Sequence, residues 1–303
     1  MTNFIKGNYH LFAMTSVAMW STGFVFTRLS LAYFSPLSIS FLRYFLAVVV
    51  LLAVAAAYKI KPPQREDWKW VAAAGLSGFS IYMTLFTIAS VSITASTASV
   101  VVATGPIFTA VLAWVIYKEK LKPVQCFACG LEFLGILIMA LVSARMDANY
   151  GVLLMLVATI LLAAYNIITR KLVKKYSPIQ VTIYSMAVGA FALAIFVPQS
   201  VADIQAGVPP IGYFYIFVMG VFSSALAFVS WSLALKSAPK ISYATNYMFV
   251  TPFLTTLLGF LMANELPGSE TILGGALIIL GLAIFNFHSA MAQGFKKYVL
   301  RER

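Results

Sequence analysis

The chain has 303 residues, 61% of them hydrophobic and 10% charged, whereas a soluble domain is about 45–50% apolar and about a quarter charged. That composition excludes an ordinary soluble globular protein and points to the membrane. The formal net charge of +12 would favour nucleic acid in a soluble protein. Here the basic residues sit in short links between apolar runs, where topology signals belong, which argues against a nucleic-acid partner.

A helix needs roughly 20 apolar residues to cross the hydrocarbon core, and ten such runs follow one another along the chain. The first, from about Tyr9 to Leu31, follows the single Lys6. It is too long for a signal-peptide core and shows no small-residue cleavage site, so it is expected to stay in the mature protein. The second runs from about Pro36 to Tyr58 and holds Arg43; the third, Trp68 to Ser90, holds Tyr82. The fourth, Ser92 to Tyr117, contains the small residues Thr94-Ala-Ser-Thr-Ala-Ser99 and then Pro106. Ala95, Ser99 and Ala103 recur every four positions there, a stripe that reads first as close helix packing. The fifth, Pro123 to Ala144, carries Glu132 and the pair Cys126 and Cys129. With no further ligands nearby, the two thiols read as filler and no metal site is expected.

The sixth run, Gly151 to Arg170, includes Tyr165 and Asn166, and the seventh spans Pro178 to Val201. The eighth, Ile211 to Leu235, holds Trp231. The ninth, Ile241 to Asn264, contains Tyr243-Ala-Thr-Asn246-Tyr247 and Pro252, and the tenth reaches from Thr271 to Gln293. Trp68, Trp70, Tyr213, Tyr215 and Tyr298 flank span ends as interfacial anchors do. His10 and His288 lie near span ends within reach of water, where neither needs a function.

The links alternate in charge. One side collects Lys6, the cluster Lys59, Lys61, Arg65 and Lys69, then Lys118, Lys120 and Lys122. It continues with Arg170, Lys171, Lys174 and Lys175, then Lys236 and Lys240, and the tail residues Lys296, Lys297, Arg301 and Arg303. Arg28 and Arg145 are left for the other side, with Arg43 inside a span. Both termini are therefore expected in the cytoplasm.

The sequence also repeats. A shift of 142 residues lays Thr27-Arg28 on Thr169-Arg170 and Phe34-Ser35-Pro36 on Tyr176-Ser177-Pro178. A shift of 146 pairs Pro106 with Pro252, Thr109 with Thr255, Glu119 with Glu265 and Leu134-Gly135 with Leu280-Gly281. Residues 1–145 and 146–303 thus read as two homologous units. Five spans per unit is an odd number, so the second copy is expected upside down relative to the first. Inverted repeats of this kind suit alternating access around a central site.

Trp20-Ser-Thr-Gly-Phe-Val-Phe-Thr-Arg28, Leu42-Arg43-Tyr44, Gly105-Pro106-Ile-Phe and Glu119, in this order and spacing, resemble the drug/metabolite transporter superfamily, most closely its ten-helix EamA-type branch. The resemblance implies a multi-pass permease of the bacterial inner membrane, in many members an exporter of amino acids, metabolites or toxic amphiphiles.

Several residues are candidates for the transport path. Pro106 and Pro252 each remove a helix hydrogen bond near mid-span, which would free the carbonyls of Val102 and Met248 as binding groups or gates. Such kinks can equally be satisfied by neighbouring helices. Trp20, Tyr82, Tyr165, Asn166 and Trp231 would point rings and one amide inward, as ligands or as core packing and interhelical glue. Ser99, Asn246 and Tyr247 complete the candidate substrate contacts.

Arg43 and Glu132 are the charges well inside spans. At about 1.5 Å per residue, Arg43 lies about 11 Å and Glu132 about 16 Å from the outer surface. Isolated charge at that depth is costly, so an Arg43–Glu132 ion pair is expected. It would act as a helix clamp or, with Glu132 carrying a proton, as the coupling group.

The expected fold is therefore all-α and polytopic, ten transmembrane helices arranged as two inverted five-helix repeats. The expected function is secondary export of a small amphipathic solute, such as an amino acid or a drug-like molecule, by a monomer or homodimer without cofactor or metal. An exchanger or uptake permease for phosphorylated or sugar-linked solutes is the alternative. An intramembrane enzyme would need paired deep aspartates, a metalloprotease helix motif or a serine with a membrane histidine, and none occurs.

Overall fold

The computed structural model describes residues 8–142, 150–263 and 272–286. Among them there is helix and no strand. The predicted span ends at Ala144, Asn264 and Gln293, the start at Thr271, and Lys6, Arg145, Glu265, His288, Tyr298 and the basic tail lie outside the described residues.

The helices are α1 (Tyr9–Ser30), α2 (Pro36–Ala57), α3 (Arg65–Ser92), α4 (Ala95–Tyr117), α5 (Pro123–Val142), α6 (Tyr150–Lys175), α7 (Pro178–Gln205), α8 (Pro210–Ser237), α9 (Ile241–Met262) and α10 (Ile272–Asn286). Seven of them, α2, α3, α4, α6, α7, α8 and α9, are individually long and apolar enough to cross a membrane. With large side chains such as Phe45, Leu52, Trp114, Phe191 and Ile195 turned outward, this is a polytopic α-helical membrane fold.

Helix α1 is not in that set, and its position explains why. It carries Ser16, Ser21, Thr22 and Thr27 because it packs on α8, α9 and the first part of α4 inside the bundle. Ser16 donates both to its own helix at Phe12 and across to the Ala227 carbonyl at 3.0 Å, and Thr22 meets Ser223 at 3.0 Å. Hydroxyls of this kind hold membrane helices together where water cannot compete.

Local sequence sets the helix ends. Ser35 and Ser177 each accept from the backbone N–H three residues on, with Pro36 and Pro178 opening the helices that follow. The same serine–proline cap thus starts α2 and α7. Span four begins at Ala95 rather than at the predicted Ser92, because Thr94 is extended and caps the Thr97 N–H.

Besides α7, which carries a 3₁₀ turn at Ala194–Phe196, four helices are interrupted. Helices α3 and α8 each contain a π-helical turn, Leu76–Ser80 and Val221–Leu226, directly after Gly75 and Gly220. Helix α4 breaks at Ala103–Thr104 and restarts with Gly105-Pro106, while α9 passes through a 3₁₀ stretch, Asn246–Val250, before Thr251-Pro252. The prolines therefore open new helical segments rather than kinking continuous ones. The Met248 carbonyl, expected to be free, accepts the Thr251 N–H.

Helices α3 and α6 lie antiparallel. Lys175 Nζ meets Asp67 Oδ2 at 2.6 Å at one end, and Gly151 lies against Ser92 at the other. Gly78 lets the two approach in between, since a Cβ there would stand 2.2 Å from the Tyr165 ring.

Candidate substrate cavity

A cavity lies midway along the bundle where the interrupted helices converge. Its walls are Trp20, Gly23 and Phe24 of α1, Arg43 and Tyr44 of α2, Tyr82 and Phe86 of α3, Val102 of α4, Leu162 of α6, Phe228 of α8, and Met248 and Thr251 of α9. Its volume is only about 20 Å³. That is room for about one or two waters and far less than the several hundred Å³ of a typical ligand pocket, so admitting a solute requires the walls to part.

The rings form two clusters, most of their contacts edge-to-face. Trp20 stacks 5.0 Å from Phe228 and 4.9 Å from Trp231, Phe24 lies 5.2 Å from Phe86, and Phe79 bridges Phe228 at 4.8 Å and Tyr165 at 5.2 Å. Such contacts fix ring orientation as well as filling space.

Arg43 is the charged group of the cavity and is only 4% exposed. It does not pair with Glu132, contrary to the sequence-based expectation. Nε donates to Ser224 Oγ at 2.6 Å and Nη2 to the Ser223 carbonyl at 3.0 Å. The reason is packing: α2 lies on α3, α7 and α8, so its arginine meets the π turn of α8, a widened turn that can offer a carbonyl sideways. Gly23 completes the fit, because a Cβ at that position would stand 3.4 Å from Arg43 Nη2 and 3.2 Å from Ser223 Cβ.

Glu132 is fully buried on the other side of the molecule, between α5, α9 and α10. Its Oε1 accepts from Asn246 Nδ2 at 2.8 Å, and Gly281 makes room for its Cγ. Asn246 Oδ1 in turn takes the Cys129 thiol at 3.6 Å. Among the described residues no three or more His, Cys, Asp or Glu side chains are grouped as they would be around a metal ion.

Of the other sequence candidates, Trp20 and Tyr82 line the cavity. Trp231 and Tyr165 stand one layer behind. The Trp231 indole N–H donates to Asn166 Oδ1 at 2.8 Å, and Asn166 Nδ2 reaches Thr109 at 3.4 Å, so Asn166 serves as interhelical glue. Ser99 is spent on the Ser96 carbonyl, Asn246 on Glu132, and Tyr247 on His10. Pro106 and Pro252 shape α4 and α9 without lining the cavity. Sequence reasoning missed Gly23, Phe24, Tyr44, Phe86, Phe228 and Thr251, which on pattern alone are indistinguishable from packing residues.

Comparison with known proteins fits this geometry. Residues 8–141, and again 149–287, match the EamA-like transporter family. The chain belongs to that family. An uncharacterised transporter of Archaeoglobus fulgidus is 28% identical over 89% of this chain and 95% of its own length. The probable terminal-alkyne amino-acid exporter of Streptantibioticus cattleyicolor is 26% identical over 89% of this chain and 91% of its own. One solved crystal structure superposes with a TM-score of 0.74 over 93% of this chain and 98% of that one, at 17% identity, which establishes a shared fold. This EamA-like protein is thus a multi-pass membrane protein with transporter relatives in bacteria and archaea.

Proposed function

We propose that this EamA-like protein is a secondary transporter, and not an enzyme, that moves a small amphipathic solute, an amino acid or a drug-like molecule, out of the cell by alternating access. The observation that carries this reading is the aromatic cavity at mid-bundle, built from helices of both matched segments and too tight to be a pore. The broken helices α4 and α9 and the paired π turns of α3 and α8 support two inverted repeats of five spans, residues 1–145 and 146–303. In that reading ten spans place both termini in the cytoplasm. The exporter named among the relatives favours efflux of amino-acid-like solutes. Proton coupling, if it resides in a buried carboxylate, would use Glu132.

Purified protein in liposomes tests this. Preloaded phenylalanine or a lipophilic drug should drive counterflow of trace labelled solute, as a carrier does and a pore does not. Protein that supports no counterflow of any member of an amino-acid and drug panel, with or without an imposed pH gradient, would remove the proposal. Reporter fusions placing the two termini on opposite sides would remove the inverted repeat.

A further inference from the structure

Arg43 is a buried cation whose partners are neutral. Guanidinium stays charged at any accessible pH, and a charge taken out of water needs a counter-charge or a full set of hydrogen bonds. The Ser224 hydroxyl and Ser223 carbonyl occupy Nε and Nη2; neither bond uses Nη1. Among the described residues no carboxylate forms an ion pair with it; Glu132 accepts from Asn246 through Oε1, and its Oε2 is buried without a partner.

The wall around Arg43 adds more unused donors. Trp20 Nε1 and the Tyr44 hydroxyl are buried and have no hydrogen-bond partner. Arg43, Trp20 and Tyr44 thus line, with the hydroxyl-bearing Tyr82 and Thr251, a cavity whose other large side chains are apolar, Phe24, Phe86 and Phe228 among them. A neutral solute would leave that charge uncompensated. A dianionic phosphate would bring two negative charges to a single guanidinium.

We propose that Arg43 receives the carboxylate of the solute, and that this protein selects monocarboxylates with an aromatic or large apolar body. Ser223 and Ser224 hold the guanidinium so that its free edge faces the cavity, Trp20 and Tyr44 supply further donors to the same anion, and the rings pack the body. The proposal rests on the transport reading for its biological use. As a binding statement it stands or falls separately.

Matched solutes test it on the unaltered, full-length protein. Tryptophan emission and thermal unfolding in detergent should respond to 3-phenylpropionate and phenylalanine about tenfold or more tightly than to 3-phenylpropionamide and phenylalaninamide, the scale of a lost hydrogen bond to charge. Arg43→Gln should abolish the acid-over-amide preference, and Arg43→Lys should restore part of it. An arginine that merely ties α2 to α8 would alter stability without moving that ratio. Equal responses to acid and amide, no response to either acid, or a preference that survives in Arg43→Gln overturns the proposal. If Arg43→Gln does not fold, the comparison in unaltered protein decides. Acid binding without counterflow would count against transport and in favour of this site.

Discussion

Arg28 and Arg170 hold opposite ends of the bundle in the same manner. Arg28 donates from Nη1 to the carbonyls of Ser90 and Val91 at 2.9 and 3.1 Å, closing α1 on the end of α3. Arg170 donates to the carbonyls of Leu235, Lys236 and Pro239, closing α6 on the end of α8. Because α3 and α6 are antiparallel, Ser90 marks one end of the molecule and Arg170, beside the Lys171–Trp70 contact, the other. A groove lined by Arg28, Tyr33 and Val91 opens at the first end.

Each arginine thus ties two helices together at its own end of the bundle, and the prediction is that it acts there as a latch. Arg170→Met should raise labelling of a Met248→Cys reporter, in a Cys126→Ser, Cys129→Ser background, by a membrane-impermeant maleimide applied at the Arg170 end. Arg28→Met should do the same from the opposite end. Losing a hydrogen bond from a charged group is worth about 1.5–3 kcal/mol, so a shift of about tenfold or more in labelling rate is expected. Inverted and right-side-out vesicles separate the two faces. Both variants enhancing labelling from one and the same side would contradict the latch assignment.

Much of this was legible in the sequence. Composition and run length marked the helices, and the 142-residue offset already aligned Arg28 with Arg170. What could not be read is where side chains turn. Arg43 and Glu132 lie at compatible depths, yet depth along a helix says nothing about which neighbour it meets. The π turns at Gly75 and Gly220, the second of which supplies the partners of Arg43, leave only a glycine followed by serines as a trace. Asn166 and Trp231 were both flagged, but that they satisfy each other was hidden because they are 65 residues apart.

That pair supports a second prediction. Asn166→Ala leaves the buried Trp231 indole N–H without an acceptor, which costs about 1–3 kcal/mol, whereas Trp231→Phe removes the donor as well as some volume. The double variant should be less destabilised than the sum of the two single ones. Thermal unfolding in detergent measures this, and strict additivity would mean that the 2.8 Å contact contributes nothing.

Close approach of α3 and α6 depends on Gly78. A methyl group there would overlap the Tyr165 ring, with Cβ 2.2 Å from Cδ2. Because the nearest atoms belong to a ring locked against Phe79 and Phe228, it cannot simply swing aside. Gly78→Ala should therefore destabilise by about 1–3 kcal/mol, the usual cost of overpacking. Tyr165→Leu in the same chain should recover part of the loss. A wild-type melting temperature for Gly78→Ala would show that the helices have slack at this crossing.

Glu132 lies outside the cavity wall and does not pair with Arg43. Its carboxyl joins α5 to Asn246, two residues before Met248 in that wall. Glu132→Gln keeps the shape and an acceptor for Asn246 Nδ2, and the protein should fold with nearly unchanged stability. Glu132→Ala leaves a hole beside Gly281 and should cost about 2–4 kcal/mol from lost packing and an unsatisfied amide. If Glu132 carries the coupling proton, Glu132→Gln should lose pH-gradient-driven accumulation while solute counterflow, which needs no net proton movement, continues. Gradient-driven accumulation that persists in Glu132→Gln would leave this carboxyl as a strut between α5 and α9, and proton movement would then have to run through another group.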